Sequence, residues 1–178
     1  LTDETKSQLP DIAWKDIENL IKTVAKLRAP NGCPWDREQT HKTLKRYLIE
    51  ETYEAIDAID SEDSAAIMEE LGDVLLQVVL HAQIASEDKQ FNINDIAKSI
   101  NEKMISRHPH VFGDVTVKNT EEVLVNWEAL KKKEKPERKE IFDGIPVALP
   151  ALLKAYKISK KASKDGFDWK NEKDRDLR

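Results

Sequence analysis

Apolar residues recur at the three- and four-residue spacing of an α-helix through most of this chain, and this periodicity constrains the fold most strongly. The first such stretch has six apolar positions on one helical face: Trp14, Ile17, Leu20, Ile21, Val24 and Leu27. Similar spacing predicts further helices at about residues 40–59, 64–86, 94–107, 119–134 and 146–161. Asn94 is placed to cap the fourth helix and Pro146 to begin the last. We therefore expect an all-α protein, folded as an antiparallel helical bundle.

A chain of 178 residues is suited to one folded domain with a substantial core. Residues 1–10 are polar and aperiodic, and we interpret them as a linker-like arm. Residues 11–169 are predicted to form the domain, and residues 170–178 a polar tail. Because the sequence begins with Leu1 and ends in a charged run, we expect it to be part of a longer chain.

Charge and cysteine content restrict the environment and the partners. A net charge of −5 disfavours non-specific nucleic-acid binding, although a local basic pocket is compatible with it. Cys33 is the single cysteine, so an internal disulfide is excluded, which is consistent with a reducing compartment. No apolar run approaches the length of a membrane span. We expect a cytoplasmic protein that binds neither membranes nor nucleic acid.

The predicted helix at residues 64–86 is apolar on most of its circumference. Its inward stripe consists of Ile67, Leu71, Val74, Leu75, Val78 and Ala82. Further apolar residues lie outside that stripe: Leu76, Val79, Leu80 and Ile84. A helix of this kind is surrounded by other helices or lies at a subunit interface. We favour both environments and expect a homodimer that completes the bundle.

Four carboxylates in two short motifs indicate a metal site. Glu51 and Glu54 are three residues apart in the second predicted helix, and Glu70 and Asp73 are three residues apart in the third. Residues at this spacing share a helical face, and antiparallel packing can bring the two faces together. Two unit charges about 4 Å apart repel by roughly 4 kcal/mol at an effective dielectric constant near 20, so converging acids need a cation. Residues 49–68 contain no lysine or arginine, which argues against an ordinary salt-bridge network.

Oxygen-only ligands select magnesium, manganese or calcium over zinc. Magnesium prefers six oxygens, so water and substrate phosphate oxygens would complete its shell, and the bound water would become a nucleophile. One alternative is a di-iron site, which normally needs two Glu-x-x-His motifs, whereas only Glu38-Gln39-Thr40-His41 has that spacing. The other is that these acids are simply solvated on the outer faces of amphipathic helices.

Several motifs occur in a fixed order along the chain. They are Leu27-Arg28-Ala29-Pro30-Asn31-Gly32-Cys33-Pro34-Trp35-Asp36, Glu50-Glu51-Thr52-Tyr53-Glu54, Glu69-Glu70-Leu71-Gly72-Asp73 and Arg107-His108-Pro109-His110-Val111-Phe112. In this order they resemble the MazG family of nucleoside triphosphate pyrophosphohydrolases, within the all-α NTP pyrophosphatase superfamily. The resemblance implies a dimeric helical bundle that uses magnesium to hydrolyse nucleoside triphosphates to monophosphates and pyrophosphate, in nucleotide-pool control or house-cleaning.

The resemblance also implies roles for individual residues. The expected metal ligands are Glu51, Glu54, Glu70 and Asp73; the expected phosphate-contacting pair is Lys103 and Arg107; a further substrate-contacting pair is Trp127 and Lys131. Tyr47, one turn before Glu51, could face the nucleotide or lie at the edge of the core, and Glu50 could position the attacking water. The competing interpretations are a nucleotide sensor without turnover and a purely structural helical dimer.

Overall fold

Helices account for all the regular secondary structure in the part of the chain that the structure describes. The computed structural model describes residues 14–134 and 140–167. The helices are α1 (Trp14–Arg28), α2 (Pro34–Glu38), α3 (Lys45–Ser61), α4 (Ser64–Glu87), α5 (Ile93–Arg107), α6 (Pro109–Phe112), α7 (Thr120–Glu134) and α8 (Ala151–Lys164). The prediction of an all-α protein is confirmed. The arm predicted at residues 1–10 and the tail predicted at 170–178 lie outside the described residues.

The first compact unit extends to Met104 and is organised around α4. α3 packs along α4, α1 also packs against α4, and the short α2 packs against α1. The buried core of this unit consists of Val24, Leu44, Val79, Leu80 and Ile84. Full burial of one such side chain contributes roughly 1.5–3 kcal/mol. These side chains hold α1, α3 and α4 together. The stripe predicted to face inward on α4 is wrong in part, because Val79, Leu80 and Ile84 lie outside it, whereas its members Leu71 and Leu75 are exposed.

Only two residues, Glu62 and Asp63, connect α3 to α4. Glu62 ends α3 with a left-handed backbone, at a φ of 58°. Asp63 caps α4, because its Oδ1 accepts a hydrogen bond of 2.9 Å from the backbone N–H of Ala65. So short a connection requires α4 to run antiparallel to α3. The acidic motifs of the two helices can therefore meet at one interface.

The start of α5 differs from the prediction, because Asn92 and not Asn94 is the capping residue. The Oδ1 atom of Asn92 accepts a hydrogen bond of 2.8 Å from the backbone N–H of Asn94. In return, Asp95 Oδ2 accepts one of 2.9 Å from the backbone N–H of Asn92. This reciprocal pair is a capping box, which satisfies two backbone donors at the helix start.

The second compact unit begins at Ile105 and contains α6, α7 and α8. Its last helix begins at Ala151, so the prediction that Pro146 begins it is wrong. Pro150 occupies the N-cap position of α8. A residue before proline is restricted to extended backbone, so Leu149 cannot continue a helix into α8. Residues 146–149 form turns instead.

α3 and the first half of α4 leave large apolar side chains exposed. They are Leu48, Ile49, Tyr53, Ile56 and Ile59 on α3, and Met68, Leu71 and Leu75 on α4. The second half of α4, by contrast, contributes Val79, Leu80, Ala82, Ile84 and Ala85 to the buried residues. The apolar circumference of α4 is therefore only partly covered within one chain. None of the helices in the described ranges combines the length and apolar character needed to cross a membrane.

Candidate metal centre

Three of the four predicted ligands converge where α3 faces α4. Glu51 of α3 and Glu70 and Asp73 of α4 each offer a carboxylate oxygen, and these three oxygens lie within 4.8 Å of one another. All three residues are half-buried. The convergence follows from the antiparallel pairing, which places the Glu-x-x-Glu face of α3 opposite the Glu-x-x-Asp face of α4.

The carboxyl groups of the cluster lie close enough to disfavour the ionised forms of Glu51 and Glu70. The pKa of Glu51 is raised by burial first, then by the negative charges of Asp73 and Glu54, a hydrogen bond to the Glu54 carboxyl group and the charge of Glu70. The pKa of Glu70 is raised by burial and by the charges of Glu54, Asp73 and Glu69. Each of these contributions disfavours the ionised form of the carboxyl group.

One carboxylate oxygen in this cluster is buried and unsatisfied. Glu70 Oε2 is shielded from solvent and has no hydrogen-bond partner among the residues that the structure describes. A buried acceptor without a partner costs free energy, about 1–3 kcal/mol and more for a charged group. A divalent cation would satisfy this oxygen and neutralise its neighbours. The residues present, all oxygen donors, therefore fit magnesium or manganese.

Glu54 and Glu50 occupy more exposed positions on α3. Glu54 is exposed and lies outside the group of three oxygens, but its charge acts on both Glu51 and Glu70. It therefore borders the cluster, and its role as a metal ligand stays a prediction. Glu50 is exposed and lines a shallow depression with Arg46, Tyr47 and Ile49.

Tyr47 lies at the edge of the core, between two other side chains. Its ring packs against the buried cluster of the first unit and meets Trp35 edge-on, with 5.7 Å between ring centroids. The guanidinium carbon of Arg46 lies 4.5 Å from the centroid of the Tyr47 ring, and Arg46 also donates a hydrogen bond to the Tyr47 hydroxyl. Tyr47 therefore lies at the edge of the core, and it also lines the depression that contains Glu50.

The predicted substrate residues of the second unit form a group around Arg107. Its guanidinium pairs with Glu134, with Nη2 at 2.5 Å and Nε at 3.1 Å from Oε2. This pairing raises the pKa of Arg107. Trp127 lies beneath the guanidinium, at 5.9 Å from ring centroid to guanidinium carbon. Lys131 pairs with Glu128 at 3.4 Å. The structure thus brings Arg107 and Trp127 together, and their roles toward a substrate stay predictions.

Lys103 lies on α5, four residues before Arg107, and is half-buried. A helix places residues four apart on one face. The predicted spacing of the basic pair is therefore present in a continuous helix.

Sequence reasoning did not find two polar contacts of these units. One is the acid partner of Arg107, because Glu134 lies 27 residues away and no local pattern connects them. The other joins His41, before α3, to His81 of α4, with 2.7 Å between their Nδ1 atoms. His81 does share a helical stripe with Asp73, which is a weak signal for the second contact. His41, the histidine of the Glu-x-x-His motif, thus contacts another imidazole. A di-iron site does not call for such a contact.

Known proteins resemble this chain over most of its length. Residues 39–112 match the model of the MazG nucleotide pyrophosphohydrolase domain, and this range includes the whole acid cluster. Over this range the chain is similar to MazG domains. The nucleoside triphosphate pyrophosphohydrolase of Escherichia coli K12 is 47% identical over 156 residues, which cover 86% of this chain and 59% of that protein. The nucleoside triphosphate pyrophosphohydrolase/pyrophosphatase MazG of Thermotoga maritima is 51% identical over 155 residues, with the same two coverages of 86% and 59%.

Two further similar proteins have lengths that differ more from one another. The uncharacterized protein YabN of Bacillus subtilis is 55% identical over 150 residues, which cover 84% of this chain but 31% of YabN. The chain therefore spans 31% to 59% of the length of these curated relatives. The crystal structure of a mazG-related protein from Thermotoga maritima matches with a TM-score of 0.55 and 29% identity, covering 65% of this chain and 98% of that one.

Proposed function

We propose that this protein hydrolyses nucleoside triphosphates to nucleoside monophosphates and pyrophosphate with magnesium. The observation that carries the proposal is the half-buried group of Glu51, Glu70 and Asp73, with the unsatisfied Oε2 of Glu70. A site that concentrates negative charge would repel a bare triphosphate, so it needs a cation shared between protein and substrate. The names of the Escherichia coli and Thermotoga maritima relatives support the same reaction.

Glu51, Glu54, Glu70 and Asp73 would hold magnesium in this proposal. Bound magnesium would supply positive charge to the phosphates and lower the pKa of a water molecule to make it a nucleophile. In the reaction, the water oxygen bonds to the α-phosphorus, and the bond from this phosphorus to the oxygen bridging to the β-phosphorus breaks. Pyrophosphate leaves with that oxygen. Glu50 would position the attacking water.

The basic and aromatic residues would bind the rest of the substrate. Lys103 and Arg107 would neutralise charge that develops on the phosphates, in the manner of other phosphoryl-transfer sites. Since Arg107 pairs with Glu134, phosphate oxygens would have to replace that carboxylate on the guanidinium. Trp127, Lys131 and Tyr47 would contact other parts of the nucleotide.

Product analysis tests the proposed reaction directly. The protein is incubated with each of the common ribo- and deoxyribonucleoside triphosphates and magnesium, and the products are separated by ion-exchange chromatography. We expect the monophosphate and pyrophosphate in equal amounts, and no products when EDTA is added. Formation of the diphosphate and inorganic phosphate, or no turnover of any nucleotide, would contradict the proposal.

We also propose that the protein acts as a cytoplasmic homodimer. The exposed apolar side chains of α3 and α4 support dimerisation, because such surfaces on soluble proteins usually mark contact sites. The lone cysteine supports a reducing compartment.

A further inference from the structure

His41 and His81 make a contact that the proposed chemistry leaves unused. His41 lies in the turn before α3, and His81 lies in the second half of α4. Their Nδ1 atoms are 2.7 Å apart, their ring planes are inclined by 4° and their ring centroids are 5.0 Å apart. Both residues are half-buried. The contact therefore joins the chain segment that leads into α3 to the body of α4.

The two imidazole rings lie side by side and not one above the other. Atoms of rings in face-to-face contact stay about 3.5 Å apart, so parallel rings with nitrogens at 2.7 Å cannot overlap. The two Nδ1 atoms therefore meet as hydrogen-bond donor and acceptor, with one proton between them. Two protons, or two lone pairs, would repel at this distance. The accepting imidazole is consequently neutral, in agreement with a pKa of His81 that burial and the neighbouring His41 lower.

The histidine contact and the acid cluster lie in similar register along the α3–α4 pair. Ten residues separate His41 from Glu51, and eight separate His81 from Asp73 in the opposite direction. In an antiparallel pair, nearly equal separations keep both contacts on matching levels. The turn that carries His41 is itself fixed, since Thr43 Oγ1 donates to Gln39 Oε1 at 2.8 Å. The His41–His81 hydrogen bond ties this turn to α4. Because the turn leads directly into α3, the bond also restricts movement of α3 along α4.

The acid cluster needs such a constraint. Its like charges repel, while the apolar contacts between α3 and α4 are non-directional and tolerate small axial shifts. An axial shift of about 1.5 Å, the rise of one helical residue, would already change the distances among the oxygens of Glu51, Glu70 and Asp73, which now lie within 4.8 Å of one another. A hydrogen bond between ring nitrogens weakens steeply with distance and angle, so it resists this shift.

We propose that the His41–His81 hydrogen bond positions the metal centre by fixing the axial register of α3 on α4. Both histidines are positioning residues and act through Glu51, Glu70 and Asp73. The inference rests on the proposed function, because it concerns the same magnesium site.

Metal affinity of matched variants tests this role without requiring turnover. Isothermal titration calorimetry with Mg²⁺ or Mn²⁺ alone is carried out on the wild-type chain, His81→Leu and His81→Asn. His81→Leu removes the hydrogen bond, and we expect the affinity to fall by about 10-fold or more, as for other residues that orient metal ligands. His81→Asn retains an amide that can bond to His41 Nδ1, so its affinity should stay within about threefold of wild type. His110→Leu is the control. It removes an imidazole outside α3 and α4, so its metal affinity should equal that of the wild type.

Equal affinities of wild type and His81→Leu would overturn the inference, as would an equal loss in His81→Asn and His81→Leu. Should His81→Leu lose its helical circular dichroism, His41→Ala, a truncation within the turn, takes its place with the same expectation.

Long-range ¹H–¹⁵N spectra of the wild-type histidines provide a second test. We expect one protonated and one unprotonated Nδ1 in this pair, and two unprotonated Nδ1 atoms would refute the contact. Failure of the proposed function would appear separately, as a protein that binds metal in this way but hydrolyses no nucleotide.

Discussion

The carboxyl group of Glu70 combines the features of a ligand site in a single residue. It is half-buried, its Oε2 is unsatisfied among the described residues, and neighbouring acids and burial raise its pKa. Glu70→Gln retains the shape and removes the charge. We expect turnover to fall by more than about 100-fold, since loss of residues that merely orient a ligand already costs 10–100-fold. We also expect magnesium to stop raising the melting temperature of this variant, because ligand binding to the native state is lost.

Glu69→Gln provides the matched control for Glu70→Gln. Glu69 is the preceding residue on α4, is exposed and lies outside the group of converging oxygens. Its variant should keep the magnesium-dependent increase in melting temperature, measured by differential scanning fluorimetry with and without EDTA. An undiminished magnesium response in Glu70→Gln would remove Glu70 from the ligand set.

The raised pKa values of Glu51 and Glu70 predict a pH dependence with a definite sign. A carboxyl group with a higher pKa in the folded state binds more protons when folded, so folding weakens as pH rises through that pKa. The metal-free wild type should therefore lose stability relative to a Glu51→Gln/Glu70→Gln double variant as pH increases from about 4.5 toward 7. Urea denaturation of both proteins in EDTA across this range measures the difference. A wild-type stability that stays constant or rises relative to the double variant as pH increases would contradict the assigned shifts.

At the scale of helices, the sequence predicts which segments are helical better than it predicts the residues at which each helix begins and ends. The sequence predicts α1, α3 and α4 because their apolar residues are numerous and periodic. It does not predict which face of α4 is buried, since Val79, Leu80 and Ile84 of the core lie outside the stripe expected to face inward. The ends depend on individual backbone hydrogen bonds, as Asn92 and Pro150 show. Periodicity carries no information about which of two nearby asparagines caps a helix. The acid cluster was predictable because its residues lie on helical faces, whereas the partner of Arg107 was not, since it is set by tertiary packing.

The packing of α3 on the core predicts a large effect at Leu44. This residue stands at the N-cap of α3 and is fully buried in the core of the first unit. Leu44→Ala should reduce the free energy of unfolding by about 2–5 kcal/mol, through lost burial and the cavity that remains. Leu152→Ala on α8 is the control, because Leu152 is 87% exposed and its loss should change stability by less than about 0.5 kcal/mol. Guanidinium denaturation followed by circular dichroism compares the two, and equal stabilities would refute the packing of α3 described above.

At the scale of the whole molecule, the exposed apolar residues of α3 and α4 predict self-association. Monomeric proteins rarely expose extended apolar surface, and burial of such surface stabilises association by about 25 cal/mol per Å². The chain has a mass of 20.4 kDa, so light scattering coupled to size exclusion should give twice this mass for a dimer. Met68→Lys places a charge at a side chain that is 74% exposed on α4, and we expect it to shift the protein toward the monomer mass. Leu152→Lys on α8 should leave the dimer intact, because it lies outside α3 and α4. A wild-type protein of monomer mass at micromolar concentration would show that this surface serves a different contact.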